Sequence, residues 1–253
     1  MKLIAFGGAA VAALSLAVSA SWTCAADISR PVGVVELFTS QGCNSCPPAD
    51  DVLAELGRRG DVVALGYHVD YWDYLGWGDT LATRENTARQ RDYLRTFGNS
   101  AVYTPQAVIN GRTHVNGAIG PDIDNMLTKL AGEGNGLDVN IDVTRNADSL
   151  VISAGAATGP IVDAHVVIVS FAEAEAVDVT KGENAGRKIV YWNPVTRIQA
   201  AGVWRGEPAR FELPATDILR TGTGGFAVLL QAVTADGAPG AILGAAMVGK
   251  EAI

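Results

Sequence analysis

From residue 31 the chain alternates apolar runs with polar, turn-rich stretches, and the character of those runs changes once along its length. Val32–Thr39 reads VGVVELFT, a continuous β-branched and aromatic run suited to a buried strand. Ala49–Leu56 carries Val52, Leu53 and Leu56 at helical spacing, and Asp61–Val69 (DVVALGYHV) is the next strand. Thr80–Phe97 is polar and helix-favouring. Gln106–Asn110 is a short apolar strand ending in the Asn110-Gly111 turn signal, and Pro121–Ala131 is a helix opened by proline. The predicted order is β, α, β, α, β, β, α.

Gly132–Gly136 (GEGNG) makes a poor element and a good linker. After it the helical spacing disappears. LDVNIDVT, SLVISAG, AHVVIVSFA, KIVYW, ARFELP, GFAVLLQAV and AILGAAMV follow, separated by Gly, Asp, Asn or Pro turns. Short strands at this spacing predict a β-sandwich. The expected organisation is an α/β domain over residues 27–133 and an all-β, sandwich-like domain over residues 134–253.

Composition changes this picture only at its edges. The 253 residues are 48% hydrophobic and 18% charged, which describes a globular chain with a sizeable core. A formal charge of −8 argues against a nucleic-acid or anionic-membrane surface and leaves small molecules and proteins as partners. Residues 1–26 read differently from the rest: Lys2 is followed by LIAFGGAAVAALSLAVSA and then by small residues, the pattern of a secretory signal peptide. Val18-Ser19-Ala20 and Cys24-Ala25-Ala26 both offer cleavage sites, and the second is preferred because polar sequence begins at Asp27. Cleavage there removes Cys24. The mature chain is then expected to be secreted or periplasmic, with no stable membrane anchor and two cysteines in an oxidising compartment.

Those two cysteines stand in TSQGCNSCPPAD, between the first predicted strand and the first predicted helix. Unpaired backbone N–H groups and the helix dipole favour a thiolate at such a position, so Cys43 suits nucleophilic attack. Cys46, three residues on, is placed to resolve a mixed disulfide. By the same reasoning Cys43 is expected to be the more exposed thiol. Pro47 and Pro48 fit only the first helical turn, where a missing N–H costs nothing. A static disulfide and half of a zinc site are the other uses of this spacing. For zinc the remaining candidate ligands are only His68, His114 and His165.

Strand, C-x-x-C and helix, followed by Val102-Tyr103-Thr104-Pro105 ahead of a short strand, resemble the thioredoxin fold. More narrowly, VELFTSQGCNSCPPAD, HVDYWDYLGW, VYTPQAVING and GENAGRKIVYWNPV resemble the secreted domain-of-unknown-function 1223 family, described as thioredoxin-like. That family has no established reaction. The resemblance implies an α/β thioredoxin-like domain in which Pro105, expected to be cis, faces the cysteine pair, with Thr104 beside it. It also implies a place near Glu36 for a buried carboxylate that takes a proton from the inner cysteine, and a Glu36 that simply points out of the sheet is the other reading. The intervening Asn44-Ser45 differs from the pairs of familiar reducing and oxidising members, so redox direction is not read from it.

Tyr67–Trp77 (YHVDYWDYLGW) is the densest aromatic cluster and follows a predicted central strand, so it is expected at the sheet's carboxyl edge, where α/β proteins place sites. Most of these rings are expected to pack under the following helical insertion; Tyr71 and Trp72 are candidate substrate-binding residues, and His68 is a candidate substrate-side residue and proton carrier. Gly182–Gly186 (GENAG) lacks the spacing of a phosphate loop and reads as a hairpin turn. The expected function is a cell-envelope thiol–disulfide oxidoreductase needing no cofactor beyond the Cys43–Cys46 disulfide, with a protein thiol or disulfide as substrate and a second redox partner. The alternative is a periplasmic metal-binding or delivery protein holding copper through Cys43, Cys46 and His68.

Overall fold

The computed structural model describes residues 30–146, 148–159, 163–220 and 222–249. The expected signal peptide and Cys24 lie outside the described residues. Among those described, no helix is long and apolar enough to cross a membrane.

The amino-terminal half runs β1 (Gly33–Thr39), α1 (Pro47–Arg59), β2 (Val62–His68), α2 (Arg84–Phe97), β3 (Gln106–Ile109), β4 (Thr113–Asn116) and α3 (Gly120–Gly132). A single 3-10 turn, Asp73–Leu75, lies between β2 and α2. The strands form one sheet in the order β2-β1-β3-β4, with β1 parallel to β2 and antiparallel to β3. Every residue of β1 is buried, because the two sides of its pleat meet different partners. Val35 and Leu37 pack with Leu53 and Leu56 of α1 and Ile123 and Leu127 of α3. Val34 and Phe38 face the other way, with Leu65, Tyr67 and Tyr93. Helix α1 starts at Pro47 and Pro48 and stops at Gly60, whose φ of 72° closes the helix in the left-handed region.

The second half is nearly all strand: β5 (Ile141–Asn146), β6 (Ser149–Ala154), β7 (Ala164–Phe171), β8 (Glu175–Val179), β9 (Arg187–Tyr191), β10 (Val195–Trp204), β11 (Ala209–Pro214), β12 (Gly225–Val233) and β13 (Pro239–Gly249), with one short helix, α4 (Ala215–Ile218). They assemble as a four-stranded sheet β10-β7-β12-β13, a three-stranded sheet β11-β6-β5 and a separate hairpin of β8 with β9. Strands β8 and β10 were not among the predicted runs. Strand β10 breaks its alternation at register shifts between Val195 and Arg197 and between Ala200 and Gly202, which hides its period of two. The predicted strand over residues 137–144 begins instead at Ile141.

The central strands β7 and β12 of the four-stranded sheet are largely buried on both faces. Val166, Ile168, Phe226 and Val228 point into a core shared with Leu150 and Ile152 of the three-stranded sheet. Val169, Phe171, Ala227 and Leu229 point the other way, against Val34, Phe38, Leu65 and Tyr67 of the first sheet. The molecule is therefore layered as helices α1 and α3, first sheet, four-stranded sheet, three-stranded sheet. Each fully buried Val, Leu or Phe contributes about 1.5–3 kcal/mol. Baring this middle face would forfeit more than the roughly 5–15 kcal/mol by which a domain is usually stable.

Candidate functional site

The chain leaves β1 at Thr39 and reaches α1 through Ser40–Cys46, and this loop is pinned from several sides. Cys46 is the N-cap residue of α1, and its carbonyl accepts from the N–H groups of Ala49 (2.8 Å) and Asp50 (3.1 Å). Cys43 and Cys46 form a disulfide. Asn44 and Ser45 are exposed, yet both cysteines are fully shielded at 0%. The expectation that Cys43 would be the more exposed thiol is thus corrected, and the reason lies in chain segments far away in sequence.

Asn184, in the turn between β8 and β9, is also fully buried. Its side-chain amide donates to the carbonyls of Gln41 and Cys43, each at 2.9 Å. The stretch read as an ordinary hairpin turn is such a turn, but its tip rests on the cysteine loop. Gln41 meets the approach from the other side: its Oε1 accepts from Trp77 Nε1 at 2.8 Å, its Nε2 donates to Thr80 Oγ1 at 3.0 Å, and its backbone N–H donates to Asp79 Oδ2 at 2.8 Å. Trp72 lies over Gly42, where a Cβ would come within 3.0 Å of Trp72 Cβ. The Trp72 indole N–H donates to Thr104 Oγ1 at 2.8 Å, joining the cysteine loop to the loop that carries Pro105. The Thr104–Pro105 peptide bond is cis, as expected. Tyr71 is partly buried, with its ring centroid 6.3 Å from that of Trp72.

A buried polar cluster gathers where the cysteine loop leaves β1 and enters α1. His68 Nδ1 meets Asp79 Oδ2 at 2.9 Å, and the His68 ring stands edge-on to Tyr191 at 4.5 Å. Burial opposes the charge on Asp79, but His68 and the N–H groups of Gln41 and Leu81 outweigh it and hold the carboxyl below its usual range. Asp50, one helical turn past Cys46, accepts from Thr39 Oγ1 at 2.8 Å through Oδ1, while its buried Oδ2 has no partner. Burial pushes the Asp50 carboxyl up to about 7, against smaller downward pulls from His68 and Thr39. Burial, followed by the charges of Asp50 and Asp79, also raises the Tyr191 phenol, whose buried OH is unpartnered.

Glu36 is buried, but it lies with Val34 and Phe38 on the face away from α1. It accepts from Arg89 Nε at 2.6 Å and from the Tyr93 hydroxyl. Arg89 Nη2 also donates to Gln231 Oε1 at 2.9 Å, so this carboxylate belongs to a network joining β1, α2 and β12. Glu36, expected near the inner cysteine, is thus engaged in that network, and Asp50 carried no signal in the sequence beyond that of an ordinary acidic residue in a first helical turn. His68 is likewise engaged by Asp79, and no group of three or more His, Cys, Asp or Glu side chains is arranged to hold a metal among the described residues.

Fold and site together define a strand-rich, mixed α/β protein with a shielded C-x-x-C disulfide at a helix N-terminus. Residues 34–231 match the family described as "Protein of unknown function (DUF1223)", and the chain belongs to that family. It is also similar to a crystal structure of an Agrobacterium tumefaciens protein from the Northeast Structural Genomics Consortium. The two share 46% identity over 87% of this chain and 94% of that one, with a TM-score of 0.79. A comparison with curated proteins finds no match. None of these descriptions names a reaction.

Proposed function

We propose that the protein is a thiol–disulfide oxidoreductase of the cell envelope that acts on protein thiols or disulfides, with Cys43 as the attacking sulfur and Cys46 as the resolving one. The observation that carries this reading is the Cys43–Cys46 pair at the amino end of α1, tied through Trp72 to the Thr104–Pro105 loop. The element order β-α-β-α-β-β-α and the sheet order β2-β1-β3-β4 support a thioredoxin-like first half. An N-terminal lysine followed by a long apolar run supports export.

In the oxidising direction a substrate thiolate attacks Cys43 Sγ, the Sγ–Sγ bond breaks, and Cys46 leaves with the electron pair as a thiolate. A second thiolate of the substrate then attacks the first substrate sulfur, the one bonded to Cys43, and Cys43 leaves as a thiolate. The substrate ends as a disulfide and the protein as a dithiol, with two electrons and two protons transferred. The reducing direction is the reverse. Asp50, buried one turn beyond Cys46 with an unpartnered oxygen, takes the proton-transfer role expected of Glu36. Thr104, Pro105, Tyr71 and Trp72 form the substrate side, and His68 acts through Asp79. The copper alternative would use His68 through Nε2, since Asp79 holds Nδ1, and no observation favours it.

The test is covalent capture in the envelope. Cys46→Ser should trap partner proteins through Cys43, resolved on a non-reducing gel, while Cys43→Ser should trap few. Capture by neither variant would overturn the reading, and equal capture by both would overturn the assigned roles.

A further inference from the structure

The β8–β9 hairpin pairs with no other sheet among the described residues. Its apolar side, Val177, Val179 and Tyr191, packs as a small cluster of its own with Trp77 and Leu81. Its root is firmly seated. A Cβ on Gly57 of α1 would come within 2.0 Å of Trp192 Nε1, the Asn193 side-chain amide donates to Ala64 O at 3.0 Å, and Gly66 N–H donates to Asn193 O at 3.1 Å. Its tip is held differently. There the turn closes on left-handed Gly182 and Gly186, and Asn184 grips two carbonyls of the cysteine loop. Asn184 Oδ1 is buried without a partner, so this amide spends both donors on that loop and gains nothing locally. A seated root, a tip that rests on Trp77 and is latched by the Asn184 hydrogen bonds, and a fully buried disulfide in the loop that this tip grips describe a hinged cover.

We propose that Asn184 determines which thiols reach the Cys43–Cys46 disulfide, acting as the latch of a cover formed by the tip of the β8–β9 hairpin. Thiols react only with molecules whose tip has lifted. This deepens the oxidoreductase reading by assigning it a protein substrate that displaces the tip as it docks, since a small thiol has no surface with which to do so.

The experiment measures reduction of the disulfide in the full chain by dithiothreitol, which needs no physiological partner. One dithiothreitol thiolate attacks a protein sulfur and its second thiol closes a ring, so the reagent becomes a cyclic disulfide and the protein gains two electrons and two protons. Asn184→Ala removes two hydrogen bonds and should accelerate reduction about tenfold or more at a fixed pH. Asn184→Asp, which places an acceptor against two carbonyls, should accelerate it further. Gln231→Ala, which loosens the fold far from the tip, should leave the rate within about twofold of wild type. Equal acceleration by all three would show that reduction follows global opening and would overturn the cover, as would unchanged rates in both Asn184 variants.

Should the variants fail to fold, hydrogen exchange of the oxidised wild type decides. Amides of residues 183–187 should exchange well before those of β12, and exchange at the β12 rate would sink the proposal. Failure of capture by Cys46→Ser with acceleration by Asn184→Ala would leave the cover standing without the enzyme. The opposite pair of results would leave the enzyme without the cover.

Discussion

Two buried polar clusters sit on opposite sides of β1, and they are finished to different degrees. Around Glu36, Arg89, Tyr93 and Gln231 most polar atoms meet a partner, the buried hydroxyl of neighbouring Tyr67 excepted: Gln231 Nε2 alone reaches Tyr93 OH at 2.8 Å and Gly240 O at 2.9 Å. Around Asp50, His68 and Asp79 the set is incomplete, with Asp50 Oδ2, Tyr191 OH and Asn184 Oδ1 all buried and unpartnered. A closed network fixes architecture, because each group's desolvation is offset by a bond. An open one keeps a carboxyl whose proton can move.

The largest expected effect breaks the closed cluster. Arg89→Ala leaves Glu36 buried without its guanidinium and should destabilise the fold by about 3–5 kcal/mol in urea denaturation. A loss within about 1 kcal/mol would mean the network is no more structural than the open cluster. The next sharpens the open cluster through pH. Asp50 has an ordinary pKa of 3.8 when unfolded and about 7 in the fold, so the folded state holds an extra proton between those values. Its contribution is complete below about pH 4 and is lost as pH rises through about 7. Asp50→Asn should therefore gain on the order of 2 kcal/mol relative to wild type at pH 8 and erase that slope, measured by denaturation across the range. A stability loss at pH 8 would invert the assigned cause. The smallest effect is at Thr39, whose hydroxyl donates to Asp50 Oδ1. Thr39→Val should cost about 1 kcal/mol at neutral pH and move the end of the slope upward. A downward move would contradict the role given to that hydrogen bond.

What the sequence disclosed follows the range of the forces involved. Strand β1, helix α1 and the cysteines between them were legible because apolar run, proline pair and helical spacing are local signals. Strand β8, with Glu175 and Asp178 in five residues, and the bulged β10 carried no clean alternation. The burial of Asp50 and Asn184, on which their proposed roles rest, was invisible for another reason. Their burial depends on groups such as His68, Thr39 and Gln41, brought to them only by the completed fold, and no local pattern encodes that meeting.

The hold of Asn184 on the Cys43 carbonyl also orders events in time. During synthesis the chain emerges from its amino end, so both cysteines exist long before the hairpin that shields them. The face of β1 that carries Val34 and Phe38 waits still longer, until β12 is made. If the chain folds in an oxidising compartment, as the proposed export implies, its open pair of thiols can be oxidised before closure. A chain whose disulfide is cut after folding must instead unseal what its own later residues have shut, so history, as well as chemistry, separates making this bond from breaking it.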